Sequence, residues 1–198
     1  MNEIEPHKDL ISYYDITRTF RSTFDVNHFF NNGEHYNITS DIERNIFLLR
    51  RLSDAGLLKE QNRVCDCGLG LGNALFDLYL QSKEIDGHTF TFTGIEKHAE
   101  YVDFVRERLM HLWNTGLVLV HGDIMNQDYS NYEIVYSYSP FNNRRQLDFF
   151  YNKIADEARR GTIIIEHANG GLGNLGSLES VPGLDRRVIG GQTLFVKG

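Results

Sequence analysis

RVCDCGLGLGNALFDLYL, residues 63–80, is the stretch on which the fold reading turns. A short apolar run ends at Asp66, three glycines follow at Gly68, Gly70 and Gly72, and apolar residues then recur at helical spacing. Strand, glycine turn and helix in that order gather backbone amides at one point. Glycine accepts positive φ and leaves no Cβ in a ligand's way, and the free N–H groups of a helix start favour a negative group. Alone, the stretch fits an empty strand-to-helix turn equally well.

Working outward, apolar runs of strand length lie at Arg63 to Cys67, Thr89 to Ile95, Leu117 to His121, Glu133 to Tyr138 and Thr162 to His167. Helical patterns stand between them: Tyr101, Val105, Leu109 and Leu112 form one stripe, and Leu147, Tyr151, Ile154 and Ala158 another. GDIMNQDYSNY is too short for a long crossover helix, so a loop with at most one or two turns is expected there. RRVIGGQTLFVKG reads as two short strands joined by Gly190 and Gly191. The expectation is an α/β fold: a Rossmann-like seven-stranded, mostly parallel sheet with a C-terminal antiparallel hairpin and helices on both faces.

Ser40 is the expected cap of a helix with Ile42, Ile46 and Leu49 on one face and Gly56 near its stop. Residues 1–39, rich in Tyr, Phe, His and Asn without a clear period, are read as an N-terminal arm or cap, and residues 40–198 as the main domain. NGGLGNLGSLESVPG, with five glycines, reads equally as a connector and as a lid.

Two acids extend the first motif. Glu96 closes the second strand, where a carboxylate can accept both hydroxyls of a ribose. Asp123, in VHGD after the third strand, can accept from the exocyclic amine of an adenine. Each has a plain alternative: Glu96 a surface carboxylate, Asp123 a loop cap. In an open parallel sheet, however, the three strand ends lie side by side where ligands bind. Together they point to one nucleoside.

The 198 residues include 41% hydrophobic ones, enough for one core that buries roughly 70% of its unfolded surface. With 24% charged residues and only 3 prolines, a collagen-like or broadly disordered chain is excluded. A balance of 27 acidic to 20 basic residues, net −7, leaves no broad surface for a nucleic-acid backbone. The 2 cysteines, Cys65 and Cys67, are expected on opposite faces of their strand, so no disulfide framework is anticipated, and two thiols fall short of a zinc site. MNEIEPHKDL has no signal-peptide core and no 18-residue apolar run occurs, which gives the expectation of a soluble, cytoplasmic protein without membrane or metal.

On these residues the chain resembles the class I S-adenosylmethionine-dependent methyltransferases, from about Arg63 to the C-terminus. The resemblance implies an enzyme with S-adenosylmethionine as cofactor, bound by Asp66, Gly68, Gly70, Gly72, Glu96 and Asp123. It also places the methyl acceptor at Tyr138, Ser139, Pro140 and Phe141, where amino-methylating relatives carry Asn or Asp, then Pro, Pro and an aromatic. The match there is partial, since Tyr138 and Ser139 replace the amide or acid and the first proline. The GIE triplet and the aromatic and proline near the strand end are similar to lysine methyltransferases of this fold. The acceptor is then an amine nitrogen on a protein or small molecule.

Glu166 and His167 close the fifth strand on the same edge, where either can take a proton. His28 and His35, with Tyr36 nearby, lack a third ligand and make a poor metal site. Two other readings stay open. A nicotinamide-dependent oxidoreductase shares the turn and the ribose acid, but its fingerprint wants glycine at the first, third and sixth places, and the sixth place from Gly68 is Asn73. A non-catalytic nucleoside-binding or sensor protein would explain the altered YSPF segment.

Overall fold

The computed structural model describes residues 47–110, 116–138, 140–141, 143–167 and 178–198. In chain order the elements are α1 (Leu48–Asp54), β1 (Gln61–Cys67), α2 (Asn73–Ser82), β2 (Thr89–Glu96), α3 (Ala99–Leu109), β3 (Leu117–His121), β4 (Ile134–Tyr138), α4 (Arg144–Glu157), β5 (Ile163–His167), β6 (Leu184–Ile189) and β7 (Gln192–Lys197). They build one seven-stranded sheet of order β3-β2-β1-β4-β5-β7-β6. Strands β1 to β5 are parallel, β7 runs antiparallel to β5, and β6 antiparallel to β7. The chain first adds strands on one side of β1 and then returns to its other side. The order therefore reverses between β1 and β4, which is where an open α/β sheet forms its crevice.

Side-chain alternation splits the core into two layers. Val64, Tyr136, Ile165 and Leu194 point to the face covered by α1, α2 and α3, where Leu49, Leu52, Leu75, Leu78, Tyr101 and Val105 meet them. Cys65, Val135, Ile164 and Phe195 point to the other face, under Leu147, Phe150, Tyr151 and Ile154 of α4. Each fully buried Leu or Phe contributes roughly 1.5–3 kcal/mol. Helices on both faces agree with the sequence reading. The α4 stripe is the expected one, widened by Phe150 and Ala155, and Ala158 is buried just past the helix end.

The β3–β4 connection carries only a short 3₁₀ turn, Ile124–Asn126, as its length demanded. In the closing hairpin Gly190 and Gly191 take φ of 57° and 84°, and Ile189 pairs with Gln192 across them. A two-residue turn with positive φ at both positions matches the twist of its strands.

Three expectations need correction or limits. Strand β1 ends at Cys67 with the Arg63 to Cys67 run, one residue past Asp66, and starts two residues before that run, at Gln61. Cys65 and Cys67 lie on the same face, Sγ to Sγ 3.6 Å, because residues two apart in a strand share a side; both are buried, free thiols. The described helix at the N-terminal end begins at Leu48. Its expected cap Ser40, the arm at residues 1–39, Leu112, the Leu109 side chain and residues 169–177 of the glycine-rich loop lie outside the described residues. Among the described residues no helix is long and apolar enough to cross a membrane.

Candidate functional site

The glycine turn after β1 is fastened to the end of β2. Gly68 and Leu69 both donate their N–H to the Ile95 carbonyl, at 3.0 and 2.9 Å, and the Gly72 N–H returns to the Leu69 carbonyl at 2.9 Å. Gly68, Gly70 and Gly72 have φ of 84°, 53° and 77°. Three left-handed residues in alternation are what the glycines make possible. Gly72 then leads into α2.

Glu96 links the parts. Its Oε2 accepts from the Gly70 N–H at 2.8 Å and its Oε1 from the His98 N–H at 3.0 Å. Its backbone carbonyl accepts from the Gly122 N–H at 2.9 Å, so the end of β3 is tied to the same strand end. The second-strand acid thus meets the first-strand turn directly.

Asp66 is 2% exposed and Glu96 7%. Burial, and secondarily the nearby Glu96 carboxylate, push the Asp66 carboxyl up to about 7. A buried acid beside a second one is a poor home for negative charge until a cation arrives. Asp123 sits after β3 and caps the 3₁₀ turn, Oδ1 accepting from the Met125 N–H at 2.8 Å. The cap engages that oxygen; Oδ2 makes no hydrogen bond among the described residues.

On the far side of β1, Cys67 pairs with Ser137 of β4, which carries the β4 end alongside the turn. A Cβ placed on Gly68 would lie 3.6 Å from the Pro140 Cβ, ordinary van der Waals contact. Tyr138 and Phe141 are half-buried, and the Phe141 ring meets Phe150 edge-on with centroids 5.7 Å apart. Asn143 accepts from the Arg145 N–H at 2.9 Å and so caps α4. Ser139 lies outside the described residues, as do His28, His35 and Tyr36.

The structure therefore brings Asp66, Gly68, Gly70, Gly72, Glu96 and Asp123 to one sheet edge, with Tyr138, Pro140 and Phe141 beside them. It also shows residues that motif reading passed over. Tyr129, fully buried, donates its hydroxyl to the Ile124 carbonyl at 2.7 Å and so braces the turn next to Asp123. Ser137 Oγ and Tyr151 Oη share a hydrogen bond of 2.9 Å beneath the end of β4. Burial, with Glu166 adding to it, pushes the Tyr151 phenol up. Glu166, singled out above as a strand-end acid, pairs in register with Ser137 from β5, is half-buried and lies close enough to Tyr151 to push its phenol up. Gly94, cited above only within the GIE triplet, lies inside β2, where a strand glycine is a sign of close approach.

No protein-family model matches the chain, and no curated protein matches it. Solved structures do. The SAH-bound Podospora anserina methyltransferase PaMTH1 is similar with a TM-score of 0.68 at 13% identity, over 99% of this chain and 90% of that one. An S-adenosylmethionine-dependent methyltransferase from Clostridium acetobutylicum gives 0.55 at 12% identity over 89% of this chain, which spans only 63% of that protein's length. An RNA methyltransferase from Salinibacter ruber in complex with S-adenosyl-L-homocysteine gives 0.55 at 16%, over 80% of this chain and 91% of its own. At these identities the likeness is one of fold, the Rossmann-like methyltransferase fold.

Proposed function

We propose that this protein is an S-adenosylmethionine-dependent methyltransferase whose donor site is the edge formed by the ends of β1, β2 and β3. One observation carries the reading: two nearly buried carboxylates flank a turn of three positive-φ glycines, and one of them, Glu96, is hydrogen-bonded into that turn through Gly70. A cationic, diol-bearing nucleoside fits this donor set, because the acids supply acceptors and negative charge while the glycines leave room for close approach. Asp66 is assigned to the methionine part of the donor, Gly68, Gly70 and Gly72 to its backbone, Glu96 to the ribose and Asp123 to the adenine.

When bound, S-adenosylmethionine supplies an electrophilic methyl group on a positively charged sulfur. The chain's own work is positional: it aligns donor and acceptor, excludes water and favours an unprotonated nucleophile. Tyr138, Ser139, Pro140 and Phe141 are assigned to the acceptor, an amine nitrogen on a protein or small molecule, with Phe141 as an apolar wall. An acidic site suits both a cationic donor and a basic acceptor. The free, buried Cys65 and Cys67 fit a reducing compartment such as the cytoplasm.

A second reading, a nucleoside-binding sensor without transfer, is favoured by one feature: Tyr138 and Ser139 stand where amino-methylating relatives carry an amide or acid and a proline. Calorimetry with S-adenosylmethionine and S-adenosylhomocysteine tests the pocket, and binding of neither would end the donor assignment. Incubation with methyl-labelled donor and a host lysate then separates the readings. Label in an acceptor supports the transferase; binding without any labelled product supports the sensor.

A further inference from the structure

We infer that Gly94, with Leu69 seated on it, is a positioning pair that sets the glycine turn and the Glu96 carboxylate for the donor. This rests on the donor-site reading above and adds residues to it that touch no ligand themselves.

Gly94 lies inside β2 and pairs with Asp66 of β1. Its backbone is not left-handed, unlike that of the turn glycines, so conformation does not call for glycine there. Space does. A Cβ built on Gly94 would come within 2.7 and 3.0 Å of the two Leu69 methyl carbons and 3.1 Å of a Leu75 methyl carbon. Leu69 is 5% exposed and Leu75 fully buried, so neither can swing into water to make room.

Leu69 stands between Gly68 and Gly70, the residues that fasten the turn. Its own N–H and that of Gly68 reach the Ile95 carbonyl, and the Gly70 N–H reaches Glu96 Oε2 at 2.8 Å. Glu96 is two residues past Gly94 and shares its side of the strand. The missing side chain at 94 thus receives the Leu69 knob, the knob holds the turn against β2, and the turn holds the carboxylate. A methyl group at 94 lifts Leu69, draws the Gly70 N–H off Glu96 and leaves the carboxylate misaimed.

The test is calorimetric titration of the full chain with S-adenosylhomocysteine, in wild type, Gly94→Ala, Leu69→Ala and the double variant, with melting temperatures taken alongside. Gly94→Ala is expected to weaken binding by about tenfold or more, the worth of the charged hydrogen bond by which the Gly70 N–H aligns Glu96. In the Leu69→Ala background the same methyl group has space, so the double variant is expected to bind within about twofold of Leu69→Ala. A merely structural role would lower the melting temperature and leave affinity alone. The inference is overturned if Gly94→Ala binds like wild type, or if the double variant is weaker than Leu69→Ala by as much as Gly94→Ala is weaker than wild type. Should Gly94→Ala fail to fold, the comparison of Leu69→Ala with the double variant decides: binding within about twofold supports the inference, and a double variant weaker by about tenfold or more overturns it. Absence of binding by wild type would instead overturn the donor-site reading, and this inference with it.

Discussion

Asp66→Asn exchanges a carboxyl that is 2% exposed for an amide of nearly the same size and shape. In the unfolded chain this group gives up its proton near its ordinary 3.8, whereas burial and the neighbouring Glu96 keep it protonated up to about 7 in the fold. Between those values the folded state binds more protons than the unfolded one, so stability falls as pH rises through the window, and the loss is complete above about 7. At about 1.4 kcal/mol per pH unit, the interval corresponds to a destabilisation of up to about 4 kcal/mol. The Asn variant escapes it. At pH 8 it is expected to melt higher than wild type by about 10 °C, and the two should converge near pH 4. Wild-type affinity for S-adenosylmethionine is expected to strengthen as pH rises through about 7, when the carboxyl ionises to face a cationic donor. The variant should bind weakly at every pH. Thermal melts and calorimetry across pH 4 to 8.5 measure both curves. A variant no more stable than wild type at pH 8, or a gap that does not change with pH, would show that burial does not hold the Asp66 carboxyl protonated in the fold.

Glu96→Gln leaves the Gly70 or the His98 N–H facing an amide nitrogen instead of an acceptor; calorimetry should show donor affinity down by about ten- to a hundredfold, the worth of a hydrogen bond to a charged group. Tyr129→Phe removes the donor to the Ile124 carbonyl from a fully buried site, and denaturant unfolding should show a loss of about 1–3 kcal/mol. Gly190→Ala places a side chain at φ 57° and within 2.6 Å of the Arg51 side chain; melts should show a loss of about 1–3 kcal/mol, with donor affinity unchanged because the hairpin turn is not part of the site.

The parts legible in the sequence are those with local causes. Strand and helix periods announce a parallel sheet with a closing hairpin, because burial on both faces makes each central strand an apolar run. Gly68, Gly70 and Gly72 announce a turn, because few other residues take positive φ. Glu96 and Asp123 are legible as strand-end acids, though only coordinates show that Glu96 is hydrogen-bonded into the glycine turn and that Asp123 also caps a 3₁₀ turn. What stays hidden depends on how elements meet. Leu69 over Gly94 requires the register of β1 on β2. The Ser137–Tyr151 hydrogen bond requires α4 docked on the sheet. The opposite placement expected for Cys65 and Cys67 missed the two-residue period that sets them side by side.

The most direct test of the donor site is a crystal structure of the protein with S-adenosylhomocysteine bound. The expected result has the ribose hydroxyls on Glu96, the amino-acid part of the ligand at Asp66 and the adenine beside Asp123. A nucleoside seated elsewhere, such as the groove at the opposite strand ends lined by Lys59, Arg63, Thr91 and Glu133, would contradict it.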